Sequence, residues 1–393
     1  MQDERKRILD LVEKGVISAA EALDLLEKIA DEKSGHATPP SDIPQASLKQ
    51  QQTTEKEAPQ EQPQHDEPKG DDYFDHKHYD EKTDKEFIDD LKQDFTQFST
   101  KFMDILTNTF SKVRDMDITG EKRSFTHRFD LGAASIHDVS VKIPNGHLEL
   151  VQSTNGTAYV EVAVAPTFIV RSEDVEADFL KHFTVTNDNG TARITSDNRG
   201  FHVNTTLYLP AATYQKINAE LFNGGFTLAN INADELDVQT MNGKINVERA
   251  TFRKVEVETS NGAIEVRDVA ATEIEAETIN GLVAIEGAFR EIEARSANGT
   301  INVKTTDPHA EKIKAQTTAG KIDVQVPDTV GIRGEAISNF GKIDIQLHDV
   351  QLLQSQDQFL AKSVRFEKKV DDNAPLMLEA EARTGTVVVR YAL

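Results

Sequence analysis

The chain has 393 residues, of which 67 are acidic, 44 basic and 38% hydrophobic, with a formal charge of −23, no cysteine and no tryptophan. Such a surplus of carboxylates argues against nucleic acid, whose phosphates need a basic footprint, and against a broad basic patch for anionic lipid. Missing cysteine removes disulfides, thiolate nucleophiles and zinc–thiolate centres together. At roughly 150 residues per domain the length allows two or three domains. The charged start Met1-Gln2-Asp3-Glu4-Arg5-Lys6-Arg7 leads into no apolar core of about 7–15 residues, so no secretory signal is read there. No apolar run reaches about 18 residues; the best attempt, Tyr159 to Val170, is broken by Glu161 and Pro166. The expectation is a soluble, cytoplasmic protein.

In chain order, residues 1–33 read as a helical hairpin. The first helix places Ile8, Leu11 and Val12 on one side and stops at Gly15, a residue suited to the left-handed helix end. The second starts at Ser18 with Glu21 three positions on, a capping box, and carries Leu25, Leu26 and Ile29. About 30 residues cannot bury a sufficient core alone. This apolar face is therefore expected to meet a protein partner or a copy of itself.

Residues 34–83 read as a disordered tether. Six of the twelve prolines and seven glutamines fall between His36 and Lys69, and His36 to Thr83 holds 11 acids against 5 bases. Too little apolar surface is present there to offset the entropy of ordering. Residues 84–115 then form one amphipathic helix, with Phe87, Leu91, Phe95, Phe98, Phe102 and Ile105 on its apolar face. Its polar face is not rich in Lys and Arg, as a helix lying in a membrane interface would be. Packing on the protein itself or on a partner helix is favoured over peripheral contact with lipid.

From residue 120 to 393 the chain repeats. Gly224, Gly243, Gly262, Gly281, Gly299, Gly320 and Gly341 are spaced by 19, 19, 19, 18, 21 and 21 residues, and Gly385 follows after a gap of 44. Each glycine stands between two segments of alternating polarity, as in Val255-Glu256-Val257-Glu258-Thr259 before Gly262 and Ile264-Glu265-Val266 after it. Asparagine precedes five of these glycines, at 223, 242, 261, 280 and 298; both residues tolerate the left-handed backbone of a sharp corner. Hairpin meanders use the same turns, so an antiparallel sandwich or prism stays open. Equal columns recurring every ~20 residues favour a mainly β architecture, a parallel β-solenoid whose like residues stack ~4.8 Å apart. Ser124 to Pro210 is expected to be the same architecture in less regular form, and residues 349–375 a polar insertion before the last strands. Solenoid ends expose strand edges that need cover, and the Phe-rich helix is the candidate for the first end.

No catalytic motif is present, and no catalytic residue, cofactor site or metal site is assigned. His76 and His78 lie at the end of the tether without a scaffold to fix ligand geometry. Lys321-Ile322-Asp323 and Lys342-Ile343-Asp344 would stack on adjacent coils, the arrangement by which some β-helices cleave acidic sugars; the plainer reading is a solvated ladder of alternating charge. The more informative column is acidic. Asp237, Glu256, Glu275 and Glu293 share one outward position, and Glu258 and Glu277 share the position two residues on. Like charges at ~4.8 Å repel by about 1 kcal/mol per pair even in water. Nearby Arg253, Lys254 and Arg295 relieve part of this. The alternatives are a solvated face kept soluble by charge and an acidic strip for a cation or a cationic peptide.

The run Leu207-Tyr208-Leu209-Pro210 with Tyr214-Gln215-Lys216-Ile217, followed by the repeats, resembles the bacterial putative-adhesin β-strand-repeat family. The hairpin centre Gly15-Val16-Ile17-Ser18, with Glu21 and Ala22, is similar to the short helical module found ahead of that domain in YvlB-like proteins. The same layout occurs in the LiaX-like daptomycin-sensing surface proteins. The resemblance implies a sensor or modulator in a Gram-positive cell-envelope stress response and carries over no catalytic residues. Three readings follow. The first is a non-catalytic binding protein with an acidic solenoid surface and a partner-binding helical module. The second is a scaffold assembling through the hairpin and the Phe-rich helix. The third is a β-helix enzyme acting on polysaccharide.

Overall fold

A computed structural model describes residues 124–392 except 133, 168–169, 171, 173, 359–360 and 371–373. The hairpin, the tether, the amphipathic helix, His76 and His78 lie outside the described residues.

Alternation and equal columns produce what the repeat implies, a parallel β-solenoid rather than a sandwich of hairpins. Each coil lays one strand on a first face, turns a corner at its glycine, and lays a second strand on a second face. In the middle of the stack the register is column on column: Leu236, Val255, Ile274, Ile292 and Ile313 are successive partners on the first face. Phe226, Ile245, Ile264, Val283 and Ile301 are successive partners on the second. These inward side chains are at most 1% exposed. Burying each stabilises the stack by about 1.5–3 kcal/mol, an upper figure because unfolded chains already bury part of that surface.

The corners correct the sequence reading. None of the asparagines at 223, 242, 261, 280 and 298 has a positive φ, so left-handed tolerance is not their use. Their amides form a ladder instead. Each Nδ2 donates to the Oδ1 of the asparagine one coil back, from Asn298 down to Asn145, at 2.9–3.0 Å. Gly146, Gly320 and Gly385 do take a positive φ, of 126°, 156° and 147°, but the glycines from 224 to 299 do not and are needed for a different reason from the one expected. A Cβ on Gly262 would lie 1.9 Å from the carbonyl oxygen of Gly243, and one on Gly243 2.0 Å from that of Gly224. Close backbone approach between coils admits no side chain there. That carbonyl is capped from inside, as Thr259 and Thr278 Oγ1 donate to Gly243 and Gly262.

In the middle coils the left-handed residues sit at the second corner, at Asn230, Arg249 and Asp268. The next coil drops this residue: the register slips between Arg267 and Val269 against an unbroken strand. That one omission accounts for the 18-residue spacing of Gly281 and Gly299.

The ends depart further from the expectation. The strand Leu376–Thr384 does not follow at the edge but lies between Lys312–Ala319 and Ile332–Phe340, parallel to both. Val387–Tyr391 likewise lies between Ile322–Val326 and Ile343–Gln346. The coil latest in sequence is thus second from the outside. The supposed polar insertion is an antiparallel hairpin, in which Ala361–Lys368 pairs with Ile332–Phe340 and Gln351–Gln358 pairs with Ala361–Lys368. Phe366, fully buried, covers the core where Gly334 leaves a place in the inward column; a Cβ on Gly334 would lie 2.2 Å from that ring.

At the other end the coil 138–152 is likewise internal, between 191–209 and 213–229. Antiparallel strands Tyr159–Pro166, Phe125–Asp130 and Phe183–Asp188 close the edges. Between them the short helix Val175–Leu180, capped by Asp174, brings in Phe179. Phe179 meets the rings of Phe125, Phe183 and Phe201 at 5.5, 4.8 and 5.4 Å. This end has an aromatic cover built from residues 125–209.

Candidate functional site

The outward side of the first face carries the acidic columns. Its register places Asp237, Glu256, Glu275 and Glu293 as successive partners, with Glu258 beside Glu277. The six carboxylates named from sequence therefore share one surface, held by strands whose inward residues are locked in the core.

That surface is not a simple solvated comb. Glu277 is only 3% exposed and Glu258 9%, far below what a free carboxylate on a sheet would show. At Glu277 an interleaved set of cations accompanies this burial. Arg295 occupies the Glu258/Glu277 column one coil further on, since it is the register partner of Glu277. Its guanidinium bonds Glu277 and Glu293 and reaches Glu275 at 3.6 Å. Lys314 Nζ donates to Glu293 at 3.1 Å, and Lys254 Nζ stands 3.4 Å from Glu256. At the column's start Asn218 Nδ2 donates to Asp237 at 3.0 Å, with Lys216 Nζ at 3.8 Å.

These contacts split the column electrostatically. Burial, reinforced by the charge of Glu256, pushes the Asp237 carboxyl up from its ordinary value. Burial and the charge of Glu293 do the same at Glu275. Glu293 is burdened by burial too, but Arg295 and Lys314 outweigh it and hold its carboxyl low. Glu293 is thus compensated from within, whereas Asp237 and Glu275 favour a proton or an external cation. The part of Arg295 was legible in sequence, because it stands four residues before Gly299 as Glu277 stands four before Gly281.

The other sequence candidates fare differently. Lys321-Ile322-Asp323 and Lys342-Ile343-Asp344 are not on adjacent coils, because Val387–Tyr391 lies between them. Asp323 is committed instead to Lys321 at 2.8 Å and Arg390 at 3.0 Å. The hairpin face Ile8, Leu11, Val12, Leu25, Leu26 and Ile29 and the helix face Phe87 to Ile105 lie outside the described residues. Among the described residues no group of three His, Cys, Asp or Glu is placed to hold a metal ion. No described helix is long and apolar enough to cross a membrane.

Comparison with known proteins adds the following. The family model Toastrack DUF4097 matches residues 97–372, and a SHOCT-like domain matches residues 3–34. YvlB of Bacillus subtilis is 27% identical over 397 residues, covering 100% of both chains. A putative adhesin from Bacteroides fragilis superposes with a TM-score of 0.41 at 14% identity, covering 69% of this chain and 98% of that one. A putative lipid binding protein from Parabacteroides distasonis gives 0.40 at 11% identity, with 69% and 97% covered.

Proposed function

This chain belongs to the Toastrack DUF4097 family, and we propose that it works as a non-catalytic binding protein of a cell-envelope stress response. The solenoid presents the acidic face to a cationic group, a cation or a cationic peptide. The helical module over residues 1–33, joined by the tether over 34–83, recruits a protein partner.

The single observation that supports the binding reading is the in-register stack of Asp237, Glu256, Glu275 and Glu293. Stacking like charges costs stability, and the internal cations compensate it unevenly, so an arriving cation gains from the deficit at Asp237 and Glu275. The polysaccharide-cleaving reading loses its support with the separation of the two Lys-Ile-Asp segments.

The test is calorimetric titration of the full chain with a lysine-rich amphipathic peptide, repeated across salt concentrations. Replacing Glu256, Glu275 and Glu293 together by glutamine is expected to weaken binding by roughly tenfold or more and to flatten its salt dependence. Equal affinity and an equal salt slope in a variant of unchanged melting temperature would refute the acidic strip.

A further inference from the structure

The far end of the first face finishes in the strand Gln351–Gln358, whose one partner among the described strands is Ala361–Lys368. Among the described residues no strand pairs with its outer row of backbone donors and acceptors. Natural proteins guard such an edge with lysine, proline, inward charge or a bulge. Here the strand reads Gln-Leu-Leu-Gln-Ser-Gln-Asp-Gln, with no lysine, no proline and Asp357 as its one charge. The bulge lies between Leu352 and Gln354, which leaves Gln354–Gln358 regular. All side chains from Gln351 to Gln356 are exposed, and Leu352 and Leu353 are 59% and 53% so. Exposed on both sides from Gln351 to Gln356, this stretch contributes little to its own domain's core. The edge strands at the other end are different: Phe125–Asp130 alternates in burial, Phe183–Asp188 buries Phe183, and the two carry Arg128, Asp130 and Asp188.

We propose that Gln351–Gln358 is a dimerisation edge, by which two copies of this chain pair antiparallel and join their first faces into one sheet. Charge selects the occupant. Two copies at −23 each repel wherever their surfaces are acidic, and they approach most cheaply along a strand almost free of charge. A basic or acidic partner finds nothing there to neutralise. A second copy supplies matching glutamine amides and the complementary backbone row, and antiparallel pairing of identical strands is two-fold symmetric, so the contact closes at a dimer. This surface is separate from the acidic columns and does not depend on their ligand.

The test is sedimentation of the full chain over the micromolar range. Dimers are expected, and Gln354→Lys with Gln356→Lys should weaken them by roughly tenfold through like charges set opposite one another. Leu11→Lys, within residues 1–33, should leave them intact. Because the chain has no cysteine, Gln356→Cys provides a second readout: oxidation should link two copies, whereas Thr186→Cys on the other end's outer strand should not. A chain that stays monomeric throughout overturns the proposal. So does a dimer that the paired lysines leave unchanged, or one that Leu11→Lys abolishes.

Discussion

The two ends of the stack solve one problem with different material. Each seats a coil one layer in from the outside, 138–152 beneath 191–209 and 376–391 beneath 332–346. The first end then closes with a helix and a cluster of rings around Phe179. The second closes with one ring, Phe366, over a place vacated at Gly334, and with a strand exposed from Gln351 to Gln356. A parallel stack has no terminus of its own, because every coil offers the next the same columns. An end must be specified by something that breaks a column, here an aromatic too large for it or a glycine that leaves it short.

The sharpest way to break the comparison is to remove residues 374–393. The four large inward side chains lost with them, Leu376, Leu378, Val387 and Val389, are at most 1% exposed and are worth about 6–12 kcal/mol as an upper figure. Hydrogen exchange should show residues 332–346 unprotected while 213–305 keep their protection. Full protection of 332–346 would instead mean that this coil restacks directly on 312–326. Smaller effects come from the rings. Phe179→Ala should cost about 4 kcal/mol and Phe366→Ala about 3 in denaturant titrations. Gly334→Leu should recover part of the second loss and none of the first, and a double-mutant cycle without coupling would separate Phe366 from Gly334.

The smallest effect is a difference in pH response. Asp323 is held below its ordinary value, burial being outweighed by bonds from Lys321 and Arg390, and Glu367 is held low chiefly by its bond from Arg333. A carboxylate whose folded pKa is depressed stabilises above its unfolded pKa, and that contribution is lost as pH falls through the folded one. The second end should therefore weaken first below about pH 4, near the unfolded values. Tyr214, in the coil stacked on 138–152, is pushed up to about 12 by burial, and its hydroxyl donates to the Pro210 carbonyl at 2.8 Å. Its contribution is present below the unfolded pKa near 10 and fades as pH rises toward 12. The first end should thus yield first in alkali. Region-resolved exchange in which both ends respond alike would refute this.

Much of this was legible from residues alone. The alternating segments around Gly243, Gly262 and Gly281 gave the coil, and the shared columns gave the register in which Glu256 meets Glu275. The order of stacking was not legible. Residues 332–346 and 376–391 carry similar inward columns apart from Gly334 against Leu378, so either could stack on the coil 312–326, and the hairpin between them pairs with 332–340. One signal stood in the sequence: Gly334, where the other coils have a Val, Ile or Leu, marks a core place to be filled from elsewhere. The asparagine ladder hid behind a familiar turn pair, since an amide stacked along the column and an amide tolerated in a left-handed turn look the same in one dimension. The acidic columns were visible, and Arg295 beside them, but the uneven split of the compensation was not, because it depends on how far Arg295 reaches across coils.

The inward seat of the coil 376–391 also sets a clock on synthesis. Coils 213–326 can add one after another as they emerge, each onto a finished neighbour. The coil 332–346 cannot settle when it emerges, since its proper neighbour is made 45 residues later, between residues 346 and 391. At about 5–20 residues per second that is a wait of roughly 2–9 seconds. During it the matching columns of 312–326 stand open as a decoy. Correct closure is therefore a contest between premature stacking and the hairpin 351–368, whose pairing with 332–340 holds that strand until its neighbour arrives.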